Sequence, residues 1–174
     1  MCEACIHSAF MVDPRRNKGE ATQQGMKSMR IRHLEERDYD PIIQVIDDWF
    51  GGRPPATLLP RIFFIHFLPT SFAIEDDNKI IGFLAGFASQ TYPEQAYIHF
   101  VGIDPRFRHR GLGRQLYERF FEAVRRIGST TVRCITSPVN TGSIASHKQM
   151  GFQIEGITGE HEGVPCTISY ELNG

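Results

Sequence analysis

Cysteine is scarce in this chain, four residues in 174, too few to brace a disulfide-built scaffold. Cys2 and Cys5 lie in a segment without the charged-then-apolar layout of a secretory signal, so a reducing, cytoplasmic setting is expected. Long apolar runs are missing as well. The most apolar stretch, Leu58 to Leu68, is broken by Pro60, Arg61 and His66, well short of the roughly 18 apolar residues of a membrane span; no membrane association is expected. Neither sign of charge dominates. Nineteen Lys and Arg against twenty Asp and Glu leave a formal net charge of −1, which excludes a protein coated in basic residues for nucleic acid. Cys2-x-x-Cys5 with His7 lacks the four ligands and closing spacing of a zinc site, so no metal is expected.

What is present is ordinary globular composition, 41% hydrophobic and 22% charged, enough apolar material for a full core. At roughly 100 to 200 residues per domain the prior is one domain. Residues 1–28 show no sustained period of 2 or 3.6 and carry Pro14, Gly19 and Gly25 among polar residues. They read as a loose extension or a non-native start, because Met26 and Met29 stand where the domain of residues 29–174 begins.

Asp40-Pro41 reads as an N-cap with Pro at the first helical position, followed by Ile42, Val45, Ile46 and Trp49 at helical spacing. Thr57 caps a second short helix that Pro69 ends. Ser71 to Glu75 and Lys79 to Ala88 read as strands joined by Asp76-Asp77-Asn78, which has hairpin turn chemistry; Tyr97 to Ile103 is a further strand. Leu112, Leu116, Phe120, Val124 and Ile127 form an apolar stripe on a helix from near Gly111 to Gly128. Thr131 to Thr136 is a β-branched strand, Ser143 to Met150 a short helix, and Phe152 to Thr158 and Cys166 to Leu172 the final strands. This alternation predicts an α/β fold with a mixed central sheet flanked by about four helices.

The chemistry concentrates in Asp104 to Arg114. Gly111 and Gly113 at the mouth of a helix let backbone N–H groups approach an anion, the helix dipole favours negative charge there, and Arg106, Arg108, Arg110 and Arg114 add charge-assisted donors. A phosphate or pyrophosphate is the expected guest. No Gly-Lys-Ser/Thr closes the loop, and the third glycine of a dinucleotide fingerprint would fall at Leu116, so neither common nucleotide motif fits. Arg108-x-x-Gly111-x-Gly113 instead resembles the R/Q-x-x-G-x-G/A signature of the GNAT superfamily of N-acetyltransferases. About thirty residues on, Asn140-x-x-Ser143-x-x-x-His147-x-x-x-Gly151-Phe152 is similar to the superfamily's N-x-x-S/A-x-x-x-Y-x-x-x-G-F segment. The resemblance runs from about Met29 to Thr158.

That resemblance implies a GNAT-like acyl-CoA N-acyltransferase fold, mostly antiparallel, with acetyl-CoA as co-substrate. It implies that the backbone of Val101, Gly102 and Ile103 pairs with the pantetheine arm. Arg108, His109, Arg110, Gly111, Leu112, Gly113 and Arg114 would cradle the pyrophosphate, and Asn140 and Ser143 would contact the coenzyme from the other side. A splay between the strands at Ile103 and Thr136 would form the slot. Superfamily members often place a Tyr acid four residues before Gly-Phe; here His147 holds that position, and an imidazole with an ordinary pKa near 6.5 suits acid or base work.

By period 2, Tyr97, His99 and Val101 share a strand face, and with no carboxylate there His99 is the candidate base, with Glu94 behind it. Asp48, Trp49 and Phe50 sit where the superfamily builds its acceptor wall. Two carboxylates, Asp47 and Asp48, beside aromatic surface suit a cationic amine. Asn140 reads equally as a helix cap, and Trp49 and Phe50 equally as core.

The expectation is acetyl transfer from acetyl-CoA to a primary amine by direct attack in a ternary complex. The acceptor is a small molecule such as a polyamine, aminoglycoside or amino-acid derivative, rather than a protein amine. The final apolar strands offer a surface for a homodimer. The alternative is a catalytically inactive coenzyme A-binding sensor, with phosphate binding to nucleic acid as a third reading.

Overall fold

Seven strands join into one sheet in the computed structural model, which describes residues 29–51, 55–137, 140–157 and 166–172. The strands are β1 (Arg30–His33), β2 (Phe72–Asp76), β3 (Lys79–Ala88), β4 (Gln95–Ile103), β5 (Thr131–Thr136), β6 (Gln153–Ile157) and β7 (Cys166–Glu171). Their order is β1-β2-β3-β4-β5-β7-β6. Every pairing is antiparallel except β4 with β5. That one parallel step needs a crossover, and helix α2 (Leu112–Arg126) supplies it. The expected mixed, mostly antiparallel architecture is therefore what forms. The extension expected at residues 1–28 lies outside the described residues.

Helices cover both faces of the sheet. On one, Leu116, Tyr117, Phe120 and Val124 of α2 pack on Leu84, Ile98 and Val101; on the other, Ile42, Ile46 and Trp49 of α1 (Tyr39–Trp49) pack on Phe83, Ala85 and Phe100. At Gly86 the α2 face comes so close that a Cβ would lie 2.5 Å from Phe120 Cε2 and 2.9 Å from the Tyr97 carbonyl. The β2–β3 turn is as anticipated: Asp77 (φ 47°) and Asn78 (φ 61°) are both left-handed, as a two-residue hairpin turn of the strands' own twist requires.

The structure corrects several local readings. Asp38, not Asp40, precedes α1, because its buried carboxylate accepts from Arg32 Nη1 (2.7 Å), Arg32 Nη2 (2.9 Å) and the Glu35 backbone N–H (2.8 Å). The second helix does not form: Pro55–Leu58, Arg61–Phe64 and Leu68–Thr70 are separate 3₁₀ turns, since Pro60 and Pro69 each remove a helical donor. The described residues thus hold three α-helices, close to the about four expected, the third being α3 (Thr141–Gln149). Ile127 leaves the α2 stripe and is 59% exposed, because the helix ends at Arg126 and the chain turns at Gly128 (φ 92°).

Candidate active site

Among the described residues, strand β4 has neighbours on both sides only as far as Ile98. Its pairing with β5 spans Gln95–Ile98 against Thr131–Cys134, whereas on the other side β3 follows it to Ile103. The register with β3 shifts here: Ala85 faces Phe100 and Gly86 faces Ile98, leaving His99 as the extra residue of a bulge. A bulge adds twist and bends its strand, and the two parallel strands splay apart from Ile98 and Cys134 onward. A crevice of about 10 Å³, room for one water, lies at the apex, lined by His99, Val101, Tyr117, Cys134 and His147 among others.

The bulge also changes the expected face. Ile98 and Val101 both join the α2-side core while Phe100 joins the α1 side, so Val101 does not share a face with Tyr97 and His99. The His99 ring stacks on Phe63 at 4.2 Å and 7°, and its Nε2 lies 2.8 Å from the Leu58 carbonyl. A carbonyl only accepts, so Nε2 carries the proton and Nδ1 keeps its lone pair. Burial holds the His99 pKa below the ordinary histidine value, against the opposing hydrogen bond to Leu58. The surroundings are aromatic rather than acidic: Phe63 is in ring contact with Phe67 and Phe87, and Phe87 with Tyr97. Glu94 stands before the first residue of β4, five residues from His99 and hence about 16 Å along the strand, at the end away from the splay.

Beyond β4 the chain turns at once. Asp104, buried, accepts from the Arg106 backbone N–H (2.9 Å) and from Arg106 Nη2 (2.6 Å), and the guanidinium holds its carboxyl below the usual range. His109 (φ 62°) and Gly111 (φ 74°) then adopt left-handed conformations; His109 does so without glycine's freedom, at a cost of order 1 kcal/mol. Helix α2 starts at Leu112 with no side-chain cap, and its first intrahelical bond runs from Gln115 N–H to the Gly111 carbonyl (3.1 Å). The N–H groups of Leu112, Gly113 and Arg114 therefore have no carbonyl one turn back. A cavity of about 230 Å³ opens at this mouth, between Ile103, Phe107 and Gly111 on one side and Ser146, Gln149 and Met150 of the α3 end on the other.

The four arginines do not act alike. Arg106 is engaged by Asp104. Arg108 turns inward: Nε donates to the Ile103 carbonyl (3.2 Å) and Nη2 to the Trp49 carbonyl. Arg110 lies over the Phe107 ring at 5.1 Å, and Arg114 pairs with exposed Glu118 at 2.9 Å, an exchangeable surface contact.

On the opposite wall Asn140 caps α3, its Oδ1 accepting from Ser143 N–H (3.1 Å). Ser143 is fully buried, and its Oγ accepts from Thr136 Oγ1 (3.1 Å). The structure places this hydroxyl inside the protein rather than on the loop cavity. His147 is 2% exposed. Its Nδ1 lies 2.8 Å from the Ser143 carbonyl and its Nε2 2.9 Å from Tyr117 Oη. Nδ1 must hold the proton for the carbonyl, so Nε2 accepts from the Tyr117 hydroxyl. Burial also keeps His147 below the ordinary histidine value. The imidazole expected to donate a proton thus presents a lone pair at Nε2.

Tyr117 is the residue that sequence reasoning passed over. It sits on the buried stripe of α2, and the available signal was a phenol on an apolar helix face, whose hydroxyl must find a partner. Cys134 Sγ lies 3.4 Å from His147 Nε2; the residue is 4% exposed, and burial raises its thiol above the ordinary value, which disfavours the thiolate.

Of the expected acceptor residues, Asp48 is exposed at the end of α1. Trp49 and Phe50 are core: they are 6% and 3% exposed and pack against Phe83 and Phe100, completing the stripe begun by Ile42 and Ile46. Among the described residues no group of three or more His, Cys, Asp or Glu is placed to hold a metal ion, and no helix is long and apolar enough to cross a membrane.

The profile of the acetyltransferase (GNAT) family matches residues 30–152. An L-2,4-diaminobutyric acid acetyltransferase of Nocardia farcinica is 30% identical over 76 residues, 44% of this chain and 39% of that protein. The chain spans about two fifths of the length of the curated relatives it matches. Among solved structures, Ard1 of Thermoplasma volcanium superposes with a TM-score of 0.71 at 18% identity, covering 84% of this chain and 99% of that one. The diaminobutyrate acetyltransferase of Paenibacillus lautus, solved with L-2,4-diaminobutyric acid and coenzyme A, gives 0.64 at 18%, covering 84% and 96%.

Proposed function

The chain belongs to the acetyltransferase (GNAT) family, and from that membership we propose that it transfers an acetyl group from acetyl-coenzyme A to a primary amine by direct attack in a ternary complex. The observation that carries this reading is the splay of β4 from β5 opening beside the uncapped mouth of α2, so that one ligand can run from the loop cavity to the crevice. The N–H groups of Leu112, Gly113 and Arg114, with the Arg110 and Arg114 guanidiniums, hold the pyrophosphate. His109 and Gly111 shape that turn, and Arg108 braces it from behind. Among the described residues, Val101, Gly102 and Ile103 have a strand neighbour on their β3 side alone, and their other edge suits the amide groups of the pantetheine arm as an added strand.

Attack requires an uncharged amine, and His99 Nδ1, neutral and unpartnered among the described residues, is the group to take its proton. Asn140 and Ser143 serve by fixing α3, whose end walls the cavity. The acceptor is a small amine, in keeping with the substrate named for two of the similar proteins; Asp48 stands on its approach. The outer edge of β6 is the surface on which two copies would pair, checked by light scattering. Residues 1–28 are an appendage to the transferase domain, so a chain starting at Met29 keeps its activity.

The test is calorimetric titration with coenzyme A followed by free-thiol release from acetyl-CoA over a panel of small amines. Saturable binding with amine-dependent thiol release is expected. Binding without release from any amine supports a coenzyme sensor instead. Salt-sensitive binding of nucleic acid that coenzyme A does not displace supports the third reading.

A further inference from the structure

We infer that the acceptor is a monoamine carrying an aromatic ring, held on a run of rings that begins at His99 and continues through Phe63, Phe67, Phe87 and Tyr97; this rests on the acetyl-transfer reading above, with His99 as base. The His99 ring belongs to two surroundings at once. It lines the crevice at the apex of the splay, and it stacks on Phe63 at 4.2 Å and 7°. From Phe63 the run continues to Phe67 at 5.1 Å and to Phe87 at 6.2 Å; Phe67 and Phe87 lie 5.4 Å apart, and Phe87 meets Tyr97 at 5.5 Å. An amine that brings its nitrogen to His99 Nδ1 lays the rest of its skeleton along this run.

Exposure separates this run from ordinary core. Phe64, Phe83 and Phe100 are 0%, 0% and 1% exposed, whereas Phe67, Phe87, Tyr97 and His99 are half-buried, and Ile62 and Ile65, flanking Phe63 along the chain, are 48% and 41% exposed. Apolar surface left open beside a reactive polar group has the composition of a small-molecule site. No member of the run is charged at neutral pH. Burial holds His99 below the ordinary histidine value and pushes the Tyr97 phenol above its usual range, so the imidazole and the phenol both stay neutral. Of the carboxylates on α1, Asp47 accepts from the Ala56 N–H (3.0 Å) and Asp40 from Arg61 Nη2 (3.1 Å), which leaves exposed Asp48 to draw in a single ammonium. The second ammonium of a diamine would lie on apolar surface with no carboxylate in the run, and its desolvation opposes binding; attraction to the ring faces offsets only part of that cost. An aromatic ring gains from the same burial and from ring contact. The apolar surroundings also favour the uncharged form of the attacking nitrogen. The reaction is unchanged: amine plus thioester gives amide plus thiol.

The test measures kcat/KM, referred to the uncharged amine, for phenethylamine and putrescine by thiol release at saturating acetyl-CoA, on the wild type, Phe67→Ala and Phe67→Leu. Both amines should be acetylated by the wild type, with phenethylamine preferred by about tenfold, the lower end of what one matched apolar group contributes in a pocket. Phe67→Ala should cut that preference by about threefold or more, and Phe67→Leu should keep more of it. Coenzyme A should bind both variants within about twofold of wild type by calorimetry, which a general collapse of the site would not allow. A wild-type preference below about threefold, a preference for putrescine, or a Phe67→Ala preference equal to that of wild type overturns the inference. The wild-type ratio decides the matter even where a variant does not fold. A wild-type chain that binds coenzyme and acetylates no amine overturns the transfer reading itself, an outcome visible before any variant is made.

Discussion

Replacing Arg108 with alanine should weaken the fold far more than the grip on coenzyme. Its guanidinium joins two elements that are remote in sequence, through Nη2 to the Trp49 carbonyl at the end of α1 and Nε to the Ile103 carbonyl at the end of β4. Hydrogen bonds from charged donors are worth about 1.5–3 kcal/mol each, so losing two at the low end costs about 3 kcal/mol. For a chain of this size about 2–4 °C of Tm is lost per kcal/mol, giving roughly 6–12 °C. Arg108→Lys, able to reach one carbonyl at a time, should recover about half of the loss on the same reasoning. Urea unfolding followed by fluorescence reads this directly, because the one tryptophan of the chain is Trp49 itself. Coenzyme affinity, measured well below the lowered Tm, should fall less than about tenfold, or 1.4 kcal/mol. Unchanged stability with a larger loss of affinity would refute the reasoning, since it would mean that the side chain faces the phosphates.

Other outcomes follow from the same contacts. Asn140→Ala removes the α3 cap and should cost about 1 kcal/mol in urea unfolding, whereas Asn140→Asp should cost little; equal losses would contradict the capping role. Gly86→Ala drives a methyl into Phe120 and the Tyr97 carbonyl and should destabilise by about 1–3 kcal/mol, a loss that Phe120→Leu partly relieves. Because burial holds His99 and His147 below the ordinary value, the unfolded chain binds more protons than the folded one below about pH 6.5. Stability should therefore be full above that pH and decline as the pH falls toward the two folded values. Urea midpoints equal at pH 7.5 and 5.5 would contradict the burial argument. In native protein Cys134 should resist alkylation at pH 8, as followed by peptide mass mapping; labelling as fast as in urea would count against its buried state.

The fold was legible where one physical signal acted alone. The α2 stripe from Leu112 to Val124, the β-branched run of β5 and the Asp77-Asn78 turn each follow from local spacing or turn chemistry, and each lies where it was expected. Residues 58–67 misled because apolar spacing suggested a helix while Pro60 and Pro69 removed its donors. The site was legible as a loop and two motifs, but not as an arrangement of protons. Nothing local marks His99 as bulged, since that depends on the register of β3. The inward turn of Arg108 depends on carbonyls more than fifty residues apart in sequence. The Tyr117–His147 contact joins residues thirty positions apart, and which nitrogen is protonated follows only from the carbonyl facing the other one.

The central claim is tested most directly by incubating the chain with acetyl-CoA labelled in the acetyl group and a small diamine, then following the label by mass spectrometry. The account predicts label in an N-acetyl amide, formed in step with free thiol and absent from the protein itself. Label held covalently on the chain, or left on a tightly bound coenzyme with no amide formed, would contradict it.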